Sequence, residues 1–179
     1  MPTPSLPVTP LRSTLPPLRP SAKTAPQSAD AARLAAAVEA ANAAVIEAAL
    51  NGLGKPGMGC TATCAYIEND TLAIAHVGDS RAYLLHEGTL IRVTRDHSYV
   101  EELVDAGEIT ADEARVHPNR SVITRALGSD PAMYADHFTL HIEEGDRLIL
   151  CSDGLSSMIP DSDIENIATQ SSTAQICVD

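Results

Sequence analysis

Tryptophan is absent from this sequence, phenylalanine occurs once, and all aromatics together make up only 3% of it. The core must therefore be built from Ala, Val, Ile and Leu. No run of 18 apolar residues occurs, so no segment is expected to span a membrane. Cysteine appears four times, at 60, 64, 151 and 177. That is too few to staple a chain of this length, and it points to a reducing, cytoplasmic setting. Positive charge is also scarce, with 12 Lys+Arg against 24 Asp+Glu and a net charge of −12. Such a balance argues against nucleic acid or an anionic membrane surface as partner and suits a protein that binds cations. The 179 residues and their 44% hydrophobic content suffice for one domain with a real core.

Acidic residues are missing altogether from residues 1–26, which carry Arg12, Arg19 and Lys23. The rest of the chain therefore stands at −15. The same 26 residues hold 8 of the 12 prolines. Proline blocks helix interiors and central strands, so residues 1–27 read as a disordered, Pro-rich leader. No apolar run follows the basic residues, which excludes a secretory signal, and the prolines spoil the amphipathic helix of a transit peptide. The folded domain is expected over 28–179.

Residues 28–50 form the strongest helical signal. Ser28 or Asp30 can cap the start, alanine dominates, and Leu34, Val38, Ala41, Val45 and Ala49 fall on one stripe. Gly52, Gly54 and Pro56 end it. Strand patterns follow at 60–67, 71–77, 81–86 and 89–94, with Asn69-Asp70 and Glu87-Gly88 as tight hairpin turns. Two short helices are expected at 98–106 and 110–116, then strands at 121–127, 135–142 and 147–151, and a helix at 161–169. The run Arg147 to Cys151 reads as a strand buried on both faces. Successive hairpins imply antiparallel sheets, so the class is α+β, with helices outside a sandwich.

Two loops could hold a metal. Gly78-Asp79-Ser80-Arg81 lies between two strands, and Ser152-Asp153-Gly154 ends the RLILC strand. Each sets a short carboxylate on a tight turn at the edge of a rigid sheet, as a hard, oxygen-seeking cation requires. Spacing alone favours a plainer reading, in which Asp and Gly are simply turn formers.

The order of motifs alters that balance. Gly57-Met58-Gly59-Cys60-Thr61-Ala62-Thr63, His76-Val77-Gly78-Asp79-Ser80-Arg81-Ala82-Tyr83, Asp96-His97-Ser98, His117-Pro118 with Arg120, Ile123-Thr124-Arg125-Ala126-Leu127-Gly128 and Leu150-Cys151-Ser152-Asp153-Gly154-Leu155 occur in sequence. Together they resemble the bacterial branch of the metal-dependent type 2C serine/threonine phosphatases, the PPM family, over roughly residues 30–179. The resemblance implies an α-β-β-α sandwich of two antiparallel sheets flanked by helices. It implies a binuclear Mn²⁺ or Mg²⁺ centre whose activated water hydrolyses phosphoserine or phosphothreonine in phosphoproteins, among them substrates of a Ser/Thr kinase. Asp153 matches the aspartate of the family's SDG motif, a ligand of the core metals. Asp79 matches the GDSR aspartate, which helps hold a further, weaker ion. Residues 96–133 match the flap beside the active site.

The match is incomplete at both ends. Neither the family's early Glu-Asp pair and DGMGG loop nor its late Gly-x-Asp-Asn element has a counterpart here. The domain is thus read as partial, without the first strands and the last elements, and as a fragment or truncated gene product. Two divalent ions bring four positive charges, whereas Asp79 and Asp153 supply two negative ones. At most one hydrated ion is expected to bind weakly, with little or no phosphatase activity in the chain as written. No residue is assigned a catalytic role beyond metal binding. The alternative is a non-catalytic pseudophosphatase serving as a binding or regulatory module.

Other chemistries fit less well. Gly78-Asp79-Ser80 also matches the GDS block of one esterase class, but no late Asp-x-x-His and no Gly-x-Ser-x-Gly elbow complete a triad. Ser80 is read as a hydrogen-bonding turn residue. His137 and His141, on a strand, lie about 13 Å apart, too far to share a metal. Cys60, Cys64 and Cys151 are expected as small buried residues. His97 and His117 are expected to be structural or exposed rather than proton donors.

Overall fold

A computed structural model of the chain describes residues 28–178. The leader expected over 1–27 lies outside the described residues. Helix α1 spans Ala29–Leu50, and Ser28 caps it by accepting from the Ala31 amide at 3.2 Å. Strands β1 (Ala62–Glu68), β2 (Thr71–Val77), β3 (Arg81–His86) and β4 (Thr89–Arg92) follow, then α2 (Tyr99–Asp105) and α3 (Ala111–Val116). Strands β5 (Asp136–His141) and β6 (Arg147–Cys151) come next, then α4 (Asp153–Ser156), α5 (Asp161–Gln170) and α6 (Ala174–Val178).

The strands form two antiparallel three-stranded sheets, ordered β1-β2-β5 and β4-β3-β6. Helix α1 covers the outer face of the first sheet, and α5 packs on β3 and β4 of the second. The layers therefore run α-β-β-α, as expected. One core cluster lies between α1 and the first sheet, built on Ala35, Val38, Ala75, Val77 and Leu127. The other fills the space between the sheets with Leu72, Ile74, Ala82, Leu84, Val93 and Leu140. The small side chains of Ala35 and Ala75 let helix and sheet approach closely. Alternate residues of β2 serve the two clusters, because successive strand side chains point to opposite faces.

Several expectations need correction. The strand buried on both faces is β2, not the RLILC run. β2 sits between β1 and β5 with a layer on each side, whereas β6 is an outer strand with Leu150 45% exposed. Continuous apolar character alone does not tell a central strand from an outer one. Residues 121–127 do not form a strand. They make only isolated bridges, Cys60↔Leu127 and Ser98↔Ile123, with a bend between them and no continuous ladder. On α1 the buried stripe is Ala31, Ala35, Val38 and Asn42, and Ala41 faces solvent. Asn42 belongs there because its Oδ1 accepts from the Gly128 amide at 2.7 Å and its Nδ2 donates to the Asp130 carbonyl at 2.8 Å. Cys60 is exposed, and Cys64 and Cys151 are half-buried.

Candidate metal centre

The Asp79 turn is shaped by what surrounds Gly78. That residue has φ +107°, and a Cβ there would come within 2.3 Å of Thr61 Cγ2. Only glycine takes this left-handed conformation against such a wall without strain. The backbone is thereby brought close to β1 as it passes from β2 to β3. Ser80 follows, its hydroxyl 2.8 Å from Thr61 Oγ1 and its carbonyl accepting from Thr63 Oγ1 at 3.1 Å. Ser80 is thus the turn residue expected of it, bonded to a threonine and not to a histidine.

Arg81 opens β3 and turns back on the same loop. Its Nε and Nη2 donate to the Asp96 carboxylate at 2.7–3.1 Å, and its Nη1 donates to Tyr83 Oη at 3.0 Å. Tyr83 in turn donates to Asp161 at 3.0 Å, joining β3 to α5. Burial pushes the Tyr83 hydroxyl up to about 12, against the pull of Arg81. Asp96 also pairs with Arg92 at 2.7 Å, so one buried carboxylate balances two guanidiniums.

Asp153 begins α4 at the end of β6. The β3–β6 ladder ends at the pair Arg81↔Cys151. Asp79 and Asp153 each lie two residues beyond that pair, at the same end of the sheet. Asp153 is exposed and Asp79 half-buried. The Asp79 carboxyl is pushed above the usual aspartate range, first by burial and then by the charges of Asp153 and Asp96. Its own backbone hydrogen bond and Arg81 pull it part of the way back.

That repulsion is what a bound cation would relieve, and two short carboxylates on stiff supports suit a hard divalent ion. Among the described residues no group of three His, Cys, Asp or Glu gathers in a way that could hold a metal. Asp79 and Asp153 are thus the two carboxylates that this end of the sheet offers to such an ion.

The buried polar groups behind the turn form a network that motif matching did not assemble. His76 and His97 lie ring against ring, 4.9 Å between centroids. His76 Nε2 donates to the Arg95 carbonyl at 3.0 Å and its Nδ1 lies 2.9 Å from Thr63 Oγ1. Burial, and then the neighbouring His97, lowers the His76 pKa to about 4. His97 is buried and hydrogen-bonded, as expected. Its hydrogen-bond partners are Gly78 and Asp136, and Arg125 Nη1 lies 2.9 Å from its Nε2. Thr63, His76, Gly78, His97 and Arg125 stand in the ordered motifs, whereas Arg95 and Asp136 do not, and the hydrogen-bonded pairs are separated by 13 to 39 positions. A polar residue inside an otherwise apolar strand, as His76 is in β2, was the available signal. His117 packs beside Tyr99, and Arg115 of α3 reaches the Ser156 carbonyl of α4 at 3.4 Å. The flap expected over 96–133 is therefore fastened to both acidic turns. His137 and His141 lie on β5, as expected.

Comparison with known proteins adds an independent observation. The family profile described as Protein phosphatase 2C matches residues 12–177. The serine/threonine phosphatase stp of Listeria welshimeri is 43% identical over 111 residues, covering 62% of this chain and 44% of that protein. The crystal structure of the serine/threonine phosphatase Stp1 from Staphylococcus aureus superposes with a TM-score of 0.78 at 31% identity, covering 87% of this chain and 62% of that one. A structure of the catalytic domain of the phosphatase PstP, in complex with 2 manganese ions, superposes with a TM-score of 0.74 at 34% identity. It covers 86% of this chain and 64% of that one. The chain thus spans less than half the length of the Listeria relative.

Proposed function

The chain belongs to the protein phosphatase 2C family, and from that membership we propose that it carries part of the machinery of a metal-dependent serine/threonine phosphatase. The observation that carries the reading is the meeting of Asp79 and Asp153 at one end of the second sheet, within a fold shared with solved bacterial phosphatases. Asp79 and Asp153 are the residues proposed to hold a divalent ion, Mn²⁺ or Mg²⁺. When bound, such an ion lowers the pKa of a coordinated water and screens the charge of a phosphate.

The protein's own side chains set the geometry for this. The Arg81–Asp96 pair fixes the start of β3, and so the direction in which Asp79 leaves the turn. Arg115 holds the short helix that begins at Asp153. The proposed substrates are phosphoserine and phosphothreonine in proteins, including those modified by a Ser/Thr kinase, and the proposed setting is the cytoplasm. Among the described residues no helix is long and apolar enough to cross a membrane.

With two carboxylates and no further metal-binding group among the described residues, the 179-residue chain is proposed to turn over slowly or not at all by itself. Incubation of the purified chain with a phosphothreonine peptide and millimolar Mn²⁺ tests this. Release of phosphate near background is expected. Robust Mn²⁺-dependent release that survives Asp153→Asn would overturn the assignment of Asp153.

A further inference from the structure

We propose that His97 is a positioning residue for Asp79, clamping the peptide unit that precedes it and tying that turn to the base of the flap. The inference rests on the reading of Asp79 as a metal ligand.

Both polar main-chain groups of Gly78 are taken by this one residue. The His97 amide donates to the Gly78 carbonyl at 2.7 Å, and the Gly78 amide donates to His97 Nδ1 at 3.0 Å. Because Nδ1 accepts, it carries no proton, and the proton of the neutral ring sits on Nε2. Asp136 Oδ2 receives it at 3.1 Å. Arg125 Nη1 donates to the other oxygen of that carboxylate at 2.8 Å and lies 2.9 Å from Nε2, in contact with the ring but not donating to it. Burial would raise the Asp136 carboxyl, but the His97 hydrogen bond and the Arg125 charge hold it down at about 2. The imidazole is therefore fixed at both nitrogens, and the carboxylate that orients it is itself anchored.

On its other side His97 belongs to the flap. Its carbonyl accepts from the Thr124 amide at 2.8 Å, and the next residue bridges to Ile123. Gly78 cannot relax away, because Thr61 walls it in at a φ that only glycine tolerates. A shift of residues 122–125 must therefore pass through His97 to the peptide that aims Asp79. This is the arrangement by which partners behind a metal ligand tune its affinity.

The test compares two substitutions that each keep half of the ring's chemistry. His97→Asn leaves an acceptor near the Nδ1 position for the Gly78 amide, and His97→Gln leaves a group near the Nε2 position only. In the full 179-residue chain, Mn²⁺ affinity is read from paramagnetic broadening, and exchange protection of the Gly78 amide is read in metal-free NMR spectra. The expected result for His97→Gln is lost Gly78 protection and Mn²⁺ affinity weakened about tenfold, with His97→Asn restoring both to near wild type. If His97→Gln does not fold, Asp136→Asn, which frees the ring's far nitrogen, is expected to weaken Mn²⁺ binding in the same direction. Equal Mn²⁺ affinity in wild type and the folded variants would overturn the positioning role while leaving Asp79 a ligand. Absence of any Mn²⁺ binding in the wild-type chain would instead remove the ligand reading, and the inference with it.

Discussion

Asp79 and Asp153 stand at the same end of one antiparallel ladder, each two residues beyond the last pair, Arg81↔Cys151, and their charges repel. Neither turn would concentrate negative charge by itself. The register between β3 and β6 does so, and it raises the Asp79 pKa on top of the effect of burial. Asp153→Asn is therefore expected to lower the Asp79 pKa without returning it to the value of a free aspartate, because burial and Asp96 remain. Carboxyl-carbon NMR titration of the metal-free chain reads this directly. An unchanged Asp79 titration would mean that the two turns do not face each other.

The Arg81–Asp96 pair supports that ladder from behind. Asp96 is buried and balances both Arg81 and Arg92. Removing one partner of a buried ion pair strands the other, at a cost of about 3–5 kcal/mol. Asp96→Ala is expected to lose stability near the lower end of that range, since Arg81 keeps Asp161 at 3.6 Å, Arg92 keeps Glu101 at 3.3 Å, and Arg81 has some access to water. Urea unfolding at neutral pH measures it. A loss below about 1 kcal/mol would class the pair with ordinary surface ion pairs.

Asn42 makes the sharpest contrast between pattern and packing. Its position on α1 lies beside the apolar stripe, and a leucine there would improve the stripe. The structure instead uses its amide to satisfy Gly128 and Asp130 in the loop above. Asn42→Leu is expected to destabilise the chain by about 2–3 kcal/mol, because a backbone amide and a carbonyl are left without partners. The same urea experiment decides it, and a stabilised variant would contradict the role given to Asn42.

The sequence was most legible where local chemistry acts alone. β2, β3 and β6 begin and end where alternation and turn residues place them, and the Glu87-Gly88 hairpin takes the positive φ at both positions that its turn requires. The six ordered motifs pointed to the family and to Asp79 and Asp153. Legibility failed where a segment's partner is distant. Residues 121–127 have strand-like composition, yet their backbone contacts, Ser98↔Ile123 and Cys60↔Leu127, go to two different distant segments instead of one ladder. The run RLILC looks central, but its place in the sheet depends on β3 and β4. The clamp of His97 on Gly78 joins two motifs 19 positions apart, a distance that neither periodicity nor spacing encodes.

Acid sensitivity follows from His76. The unfolded residue takes up a proton near pH 6.5, and the folded one only near 4. Between those values the unfolded state binds more protons, so this contribution is complete above pH 6.5 and is lost as pH falls toward 4. The full effect is about 3 kcal/mol. His97, Asp96 and Asp136 all face the ring, and His86, whose pKa is raised by Asp146, acts in the opposite direction. Urea midpoints are expected to drop between pH 7 and pH 5, and His76→Gln is expected to flatten that slope. A slope unchanged by the substitution would place the acid sensitivity elsewhere.

Asp79 and Asp153 are proposed to make one weak divalent-metal site. Calorimetric titration of the 179-residue chain with Mn²⁺ tests it most directly. A single weak binding event that disappears in Asp153→Asn is expected. Two tight events, or a single event unaffected by that substitution, would contradict it.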